Sequence, residues 1–327
     1  MATSLDDFLS TQQVVILPIT TLSAMFFTYG FYVLLFGTCL SIQMSQKNTN
    51  RKLYTGFTIS LFVIATLSNA FQAMGFVRQA DVYFSGVKTL NYEPVAQYFA
   101  NDRWKIVAQS FQNFTSIFAN LVADLMLIHR CYIVWNSRKE VALPLLFLSF
   151  GTNVVGLAGS ILESLGLQDS TNDANFALYE KGAEVLAGYS ITATVISSLL
   201  TLLTAGRIWY ITHEARSMMG GQVRKRYNTL IAVILESGII YPTLMIIHLV
   251  LSNTTMDING YGSVVLYPVV TQVAGIAPTL IIVRVGLGKS VEPVYGDGEG
   301  GPSAVSTLRF AESGLCSTGM AQRASFK

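Results

Sequence analysis

Residues Ile106–Trp135 read IVAQSFQNFTSIFANLVADLMLIHRCYIVW. As a helix rising ~1.5 Å per residue, this run is long enough to cross the ~30 Å hydrocarbon core of a bilayer. Yet Gln109, Asn113, Ser116, Asn120 and Asp124 recur along it at spacings of four, three, four and four. At ~100° per residue they fall within an arc of about 80°. A polar face turned to lipid is costly. The segment therefore predicts a central membrane helix whose polar side is covered by other helices.

The rest of the chain supplies them. Of 327 residues, 51% are hydrophobic and only 12% charged, and the mean hydropathy is +0.48. Soluble domains carry about 25% charged residues, so this composition excludes a soluble, disordered or coiled-coil protein. The fold class it predicts is all-α, a polytopic membrane helix bundle with seven transmembrane helices. By hydropathy the spans run about Val14–Met44, Leu53–Val77, Ile106–Trp135, Val141–Leu165, Ala183–Ile211, Thr229–Ser252 and Val264–Val285. The bundle is thus residues 14–285, between a tail of residues 1–13 and a polar tail of residues 286–327. Asp6 and Asp7 precede the first span where a signal peptide would be basic, so that span reads as a retained helix.

Basic residues set the expected orientation. One side holds Lys47, Arg51, Lys52, Arg130, Arg138, Lys139, Arg216, Arg224, Lys225 and Arg226; the other holds Arg78, Lys88, Arg103, Lys105 and Lys181. Ten against five places the N-terminus outside and the C-terminus in the cytosol. The longest outer loop, Arg78 to Lys105, is rich in Tyr and Phe. It reads either as a lid or as a segment resting on headgroups, with Pro94 suited to open a short helix. The last tail lacks the apolar residues to fold and reads as disordered.

The scattered cysteines, Cys39, Cys131 and Cys316, predict no outer disulfide, and the histidines His129, His213 and His248 form no metal or catalytic motif. Neither a cofactor nor an enzymatic activity is expected. A net charge of +2 gives no reason to invoke nucleic acid.

Polar residues in the spans carry the functional expectations. The third-span stripe of Gln109, Asn113, Ser116 and Asn120 can line a ligand cavity, or it can be a helix-packing surface. A second stripe, Ser190, Thr194, Ser197, Thr201 and Thr204 on the fifth span, has the same two readings. Asp124 lies about 9 Å along its helix from Arg130, and Glu236 lies about two turns into the sixth span from the cytosolic side. Arg130, Arg207 and Arg284 reach the same depth. Asp124, Arg130, Arg207, Glu236 and Arg284 are therefore expected to form one cytosolic-side polar cluster. The competing reading has the arginines snorkel to the headgroups. Pro242, Pro268 and Pro278 are expected to interrupt helical hydrogen bonding in the last two spans.

Seven spans with an outside N-terminus resemble a G-protein-coupled receptor in layout. The motifs depart from that family: His129 precedes Arg130-Cys131-Tyr132 where the family has an acid, and Ala277-Pro278-Thr279 stands in the seventh span without Asn-Pro-x-x-Tyr. No lysine lies within the seventh span to hold retinal. A closer resemblance rests on Asp124 with Arg130-Cys131-Tyr132-Ile133-Val134-Trp135, Thr204-Ala205-Gly206-Arg207-Ile208-Trp209, and Glu236-Ser237-Gly238 with Tyr241-Pro242. The run from Gly275-Ile276-Ala277-Pro278 to Arg284-Val285-Gly286-Leu287-Gly288 completes it. These runs resemble a group of seven-span integral membrane proteins common in basidiomycete fungi. The resemblance covers the third through seventh spans; it implies the fold and a membrane location, and brings no activity with it.

The function expected from these readings is that of a receptor-like sensor in the plasma membrane. It would take a small or membrane-borne ligand and signal to a cytosolic protein, with the lipid bilayer as its constant partner. The alternative is a small-solute transporter or channel along the polar face of the third span. Seven spans do not divide into two equal repeats, which weighs against the alternative.

Overall fold

The structure is a computed structural model that describes residues 12–45, 51–89, 91–169, 172–214, 221–258 and 265–290. The tail beyond residue 290, Cys316 and the N-terminal residues before 12 lie outside the described residues. Among those described, the α-helices are α1 (Leu17–Ser45), α2 (Arg51–Thr89), α3 (Glu93–Asn101), α4 (Arg103–Val134), α5 (Lys139–Gly166), α6 (Asp173–Glu214), α7 (Gly221–Ile258) and α8 (Tyr267–Ser290). All but α3 are long and apolar enough to cross a membrane. The chain is thus a seven-helix integral membrane protein. Its two faces are named here by what they carry: the basic end, where α4 and α6 finish, and the α3 end.

Lipid as solvent explains the surface. Phe27 on α1 is 83% exposed and Phe147 on α5 is 74% exposed. Apolar side chains in that number on an outer surface make sense against acyl chains and not against water.

The most enclosed span is α8, with 72% of its residues buried against 44% for α4. The third span, expected to be central, comes second. The cause is the small-residue run Ala274, Gly275 and Ala277, which lets neighbouring helices close around α8. A β-carbon at Gly275 would lie 2.6 Å from the Tyr32 hydroxyl of α1. Tyr32, Leu35 and Cys39 of α1 and Tyr241 and Met245 of α7 form one core with Val269 to Ala277 of α8. Polar ties complete this centre: Gln272 Nε2 donates to Asn69 Oδ1 of α2 at 2.6 Å and to the Met25 carbonyl of α1 at 3.2 Å.

Glycines also set the approach of α5 to α6. A β-carbon at Gly166 would lie 2.4 Å from the Tyr179 backbone nitrogen, and one at Gly182 2.4 Å from that of Glu163. The two backbones touch there. At the basic end, Asn136 and Ser137 adopt left-handed backbone with φ of 56° and 58°, and this tight turn sends α5 back antiparallel beside α4.

At the opposite end the stretch from Arg78 to Lys105 is not a loop. α2 continues to Thr89 and α3 follows, with Pro94 in its first turn as the sequence suggested. Tyr83 and Tyr98 are buried edge to face at 5.8 Å in a cluster with Val14, Val82 and Val95. These two rings are the core of a small helical cap. Asp102 fastens the cap, accepting from Trp104 N and Lys105 N at the start of α4 and from Arg78 Nε. Pro268 sits in the first turn of α8, where a missing N–H costs nothing, so only Pro242 and Pro278 are helix-interior among the three expected.

Candidate functional site

α4, α6, α7 and α8 meet around two small adjoining cavities in the middle of the bundle. The larger, about 20 Å³, is walled by Asn120, Ala123, Leu127, Ser197, Thr201, Gly238, Tyr241 and the α8 turn Ala274–Pro278. The smaller, about 10 Å³, is walled by Ser116, Asn120, Tyr189, Ser190, Tyr241, Tyr267 and Thr271. Asn120, Tyr241 and Ala274 belong to both. At its edge Gly238 lets α7 close on α6: a β-carbon there would sit 2.2 Å from Thr201 Cγ2.

The expected third-span stripe divides between this cavity and the α3 end. Ser116 and Asn120 face the cavity, and Ser116 Oγ hydrogen-bonds Thr271 Oγ1 of α8 at 3.2 Å. Asn113 instead donates from Nδ2 to the Glu163 carboxylate of α5, and Gln109 approaches the same group. Glu163 is only 6% exposed. The glycine contact at Gly182 presses α6 over it and shuts the water out.

The Ser/Thr stripe of α6 bonds first within its own helix. Ser190, Thr194, Thr201 and Thr204 each donate to the carbonyl four residues earlier in their own helix. Their oxygens remain as acceptors, and Ser190, Ser197 and Thr201 supply the α6 wall of the cavities.

The five residues expected as one basic-side cluster occupy separate places. Asp124, 1% exposed, turns to α5, where Ser149 Oγ donates to its Oδ2 at 2.7 Å. Asn153 Nδ2 donates to the Ser149 carbonyl, and the Tyr189 hydroxyl of α6 donates to Asn153 Oδ1. Arg130 turns the other way: Nη2 donates to the Pro278 carbonyl of α8 at 3.2 Å, and its guanidinium lies 5.7 Å from the Tyr54 ring centre of α2. Arg207 stacks over Trp135 at 5.1 Å and Tyr210 at 5.5 Å. Of the expected acid–base pairs, Glu236 with Arg284 is the one that forms, and Glu236 is 65% exposed in it. The single cluster is thus corrected to one surface ion pair, one buried acid and two arginines held by a carbonyl and by aromatic rings. The physical reason is helical phase. Six residues separate Asp124 from Arg130, which is about 240° around the helix at 100° per residue; matching depth does not bring them together.

Several residues of this site were not singled out from the sequence. Tyr189, Tyr241 and Tyr267 converge on the cavity, yet a tyrosine in a span is common and no spacing marks these. Gln112, 1% exposed, accepts from Ser68 Oγ of α2 at 2.7 Å; it lies off the stripe. Glu163 had a visible signal in its flanking glycines, Gly159 and Gly166, which mark a face without room for water.

No protein-family model, no curated protein and no solved structure matches this chain. The resemblance described from the third-to-seventh-span motifs therefore rests on those motifs alone.

Proposed function

We propose that the protein is a receptor-like sensor of the plasma membrane, with its α3 end outside and its basic end in the cytosol. A small or membrane-borne ligand acts on the helices around the central cavity, and a cytosolic signalling protein reads the basic end. One observation carries this reading. The α8 turn Ala274–Pro278 walls the cavity, and its Pro278 carbonyl accepts from Arg130. A repacking of the cavity is therefore felt, through one helical turn, by the arginine that ties α4 to α8. At the neighbouring α7–α8 contact the tie is a half-exposed ion pair, Glu236 with Arg284. Exposed pairs contribute only ~0–1 kcal/mol, so this pair adds little to the apolar packing of Ile231, Ile234 and Leu235 that seats α7 at that end.

The second reading, a small-solute transporter or channel, draws support from the polar line of Asn113, Ser116, Asn120 and Asp124 along α4, with Glu163 of α5 at its α3 end. Against it stands the count of seven spans, which do not divide into two equal repeats. Two assays separate the readings: solute flux in liposomes holding the purified protein, and recruitment of a G protein or arrestin in cells. Recruitment without flux is the expected result. Flux without recruitment would overturn the sensor reading.

A further inference from the structure

We propose that Arg207 and the Trp135 side chain against it form a binding site for a phosphate group, supplied by an anionic phospholipid. The guanidinium of Arg207 on α6 lies 5.1 Å from the Trp135 ring centre and 5.5 Å from that of Tyr210. Apolar packing fixes this contact. Leu127, Ile128 and Cys131 of α4 share a core with Leu200, Ala205 and Ile208 of α6, and Trp135 packs against it.

A guanidinium keeps its charge wherever it sits. Aromatic rings attract that charge, but the N–H groups of the fork need lone pairs. The other two arginines expected at this depth have them: Arg130 has the Pro278 carbonyl and Arg284 has Glu236. No ion pair among the described residues includes Arg207. Its Nε and the Trp135 Nε1 beside it are both buried without a hydrogen-bond partner. Both atoms are donors, so what the contact lacks is an acceptor. Neither a cation nor an apolar group supplies one. A phosphate does, and its oxygens match the planar fork in pairs. Arg207 remains partly exposed, so the site opens on the surface of the bundle.

The surroundings select a lipid. Trp209 and Tyr210, next along α6, are 58% and 53% exposed, and outward-facing Trp and Tyr near a helix end mark the depth of the headgroups. The turn after Trp135 carries Arg138 and Lys139, both exposed, against one acid, Glu140. That turn stays close to the indole, since Arg138 N donates to the Trp135 carbonyl at 3.4 Å. Glu214 lies seven residues, about 10 Å, beyond Arg207 along α6. The excess of positive charge favours an anionic headgroup over a zwitterionic one. The site requires only that the helices span a bilayer, and it stands whether or not the protein is a sensor.

The test is native mass spectrometry of the purified full chain in detergent, with phosphatidylglycerol, phosphatidylcholine or inorganic phosphate added. Phosphatidylglycerol is expected to bind severalfold more tightly than phosphatidylcholine. Arg207→Gln should abolish that preference, and Arg207→Lys, which keeps the charge without the fork, should retain part of it. Arg103→Gln, at the α3 end, should leave it at the parental level. Equal binding of the two lipids by the parent, or an unchanged preference in Arg207→Gln, would overturn the proposal. Inorganic phosphate bound as tightly as phosphatidylglycerol would overturn the lipid as the source. Trp135→Phe keeps a stacked ring and removes the indole N–H, so it tests the site even where Arg207→Gln fails to fold. Its affinity for phosphatidylglycerol should fall severalfold at a parental melting temperature; parental affinity would count against the site.

Discussion

Arg130 on α4 and Pro278 on α8 are joined by a 3.2 Å hydrogen bond from the guanidinium to the main-chain carbonyl. It links the second most enclosed helix to the most enclosed one, at the end where the basic residues gather. The other face of the guanidinium is covered by Tyr54, which also bonds His129 Nδ1 at 3.1 Å.

Removing this tie should loosen the basic end. A hydrogen bond to a charged group contributes ~1.5–3 kcal/mol, so Arg130→Ala should lower stability by about that much. Arg130→Lys should lose less, since an ammonium keeps the charge but not the planar contact with Tyr54. Unfolding can be followed with a thiol-reactive dye, because Cys39 and Cys131 are free and buried. Equal melting temperatures for Arg130→Ala and the parent would refute the tie.

The Glu163 carboxylate depends on Asn113. Asn113→Leu strands a buried acid, at a cost of ~1–3 kcal/mol. Glu163→Gln retains an acceptor for Asn113 and should cost less. The same dye assay ranks the two, and the reverse order would show that Glu163 has another main partner.

The α5–α6 crossing should reject one methyl group. Gly182→Ala drives a β-carbon into the Glu163 backbone, and overpacking of this kind costs ~1–3 kcal/mol. Gly188, on the same helix with nothing within 4 Å of an added β-carbon, is the control. Alanine there should be neutral or stabilise by up to ~1 kcal/mol, from the better helix propensity. Expression level and melting temperature of the two variants should diverge in opposite directions.

The Glu236–Arg284 pair should matter little for stability. With Glu236 65% exposed, Glu236→Gln should change unfolding free energy by ~0–1 kcal/mol. Because Ile231, Ile234 and Leu235 also seat α7 in the apolar core there, the distance between spin labels on α7 and α8 should stay that of the parent. A large stability loss with a lengthened distance would show the pair to be a main tie instead.

Much of the architecture was legible in residue order. In lipid every backbone group must bond within its own helix, so apolar runs of sufficient length become helices wherever they occur. The polar face of Ile106–Trp135 likewise showed that its side chains would be covered by other helices, and left open whether they line a cavity or pack. The stretch from Arg78 to Lys105 misled because its aromatic and polar mixture reads as a loop, while tertiary contacts among Tyr83, Tyr98 and Val14 keep it helical.

What the sequence by itself determined is which segments are helices and which faces of them are polar, because both follow from local periodicity and the cost of unpaired groups in lipid. Only the tertiary structure decided which polar groups meet. It sent Asn113 to Glu163, Asp124 to Ser149 and Arg130 to Pro278, and it made α8 the centre. Those outcomes turn on rotation and approach of whole helices. They are set by where glycines such as Gly166, Gly182, Gly238 and Gly275 let backbones or side chains close in, and depth along a helix carries no record of that.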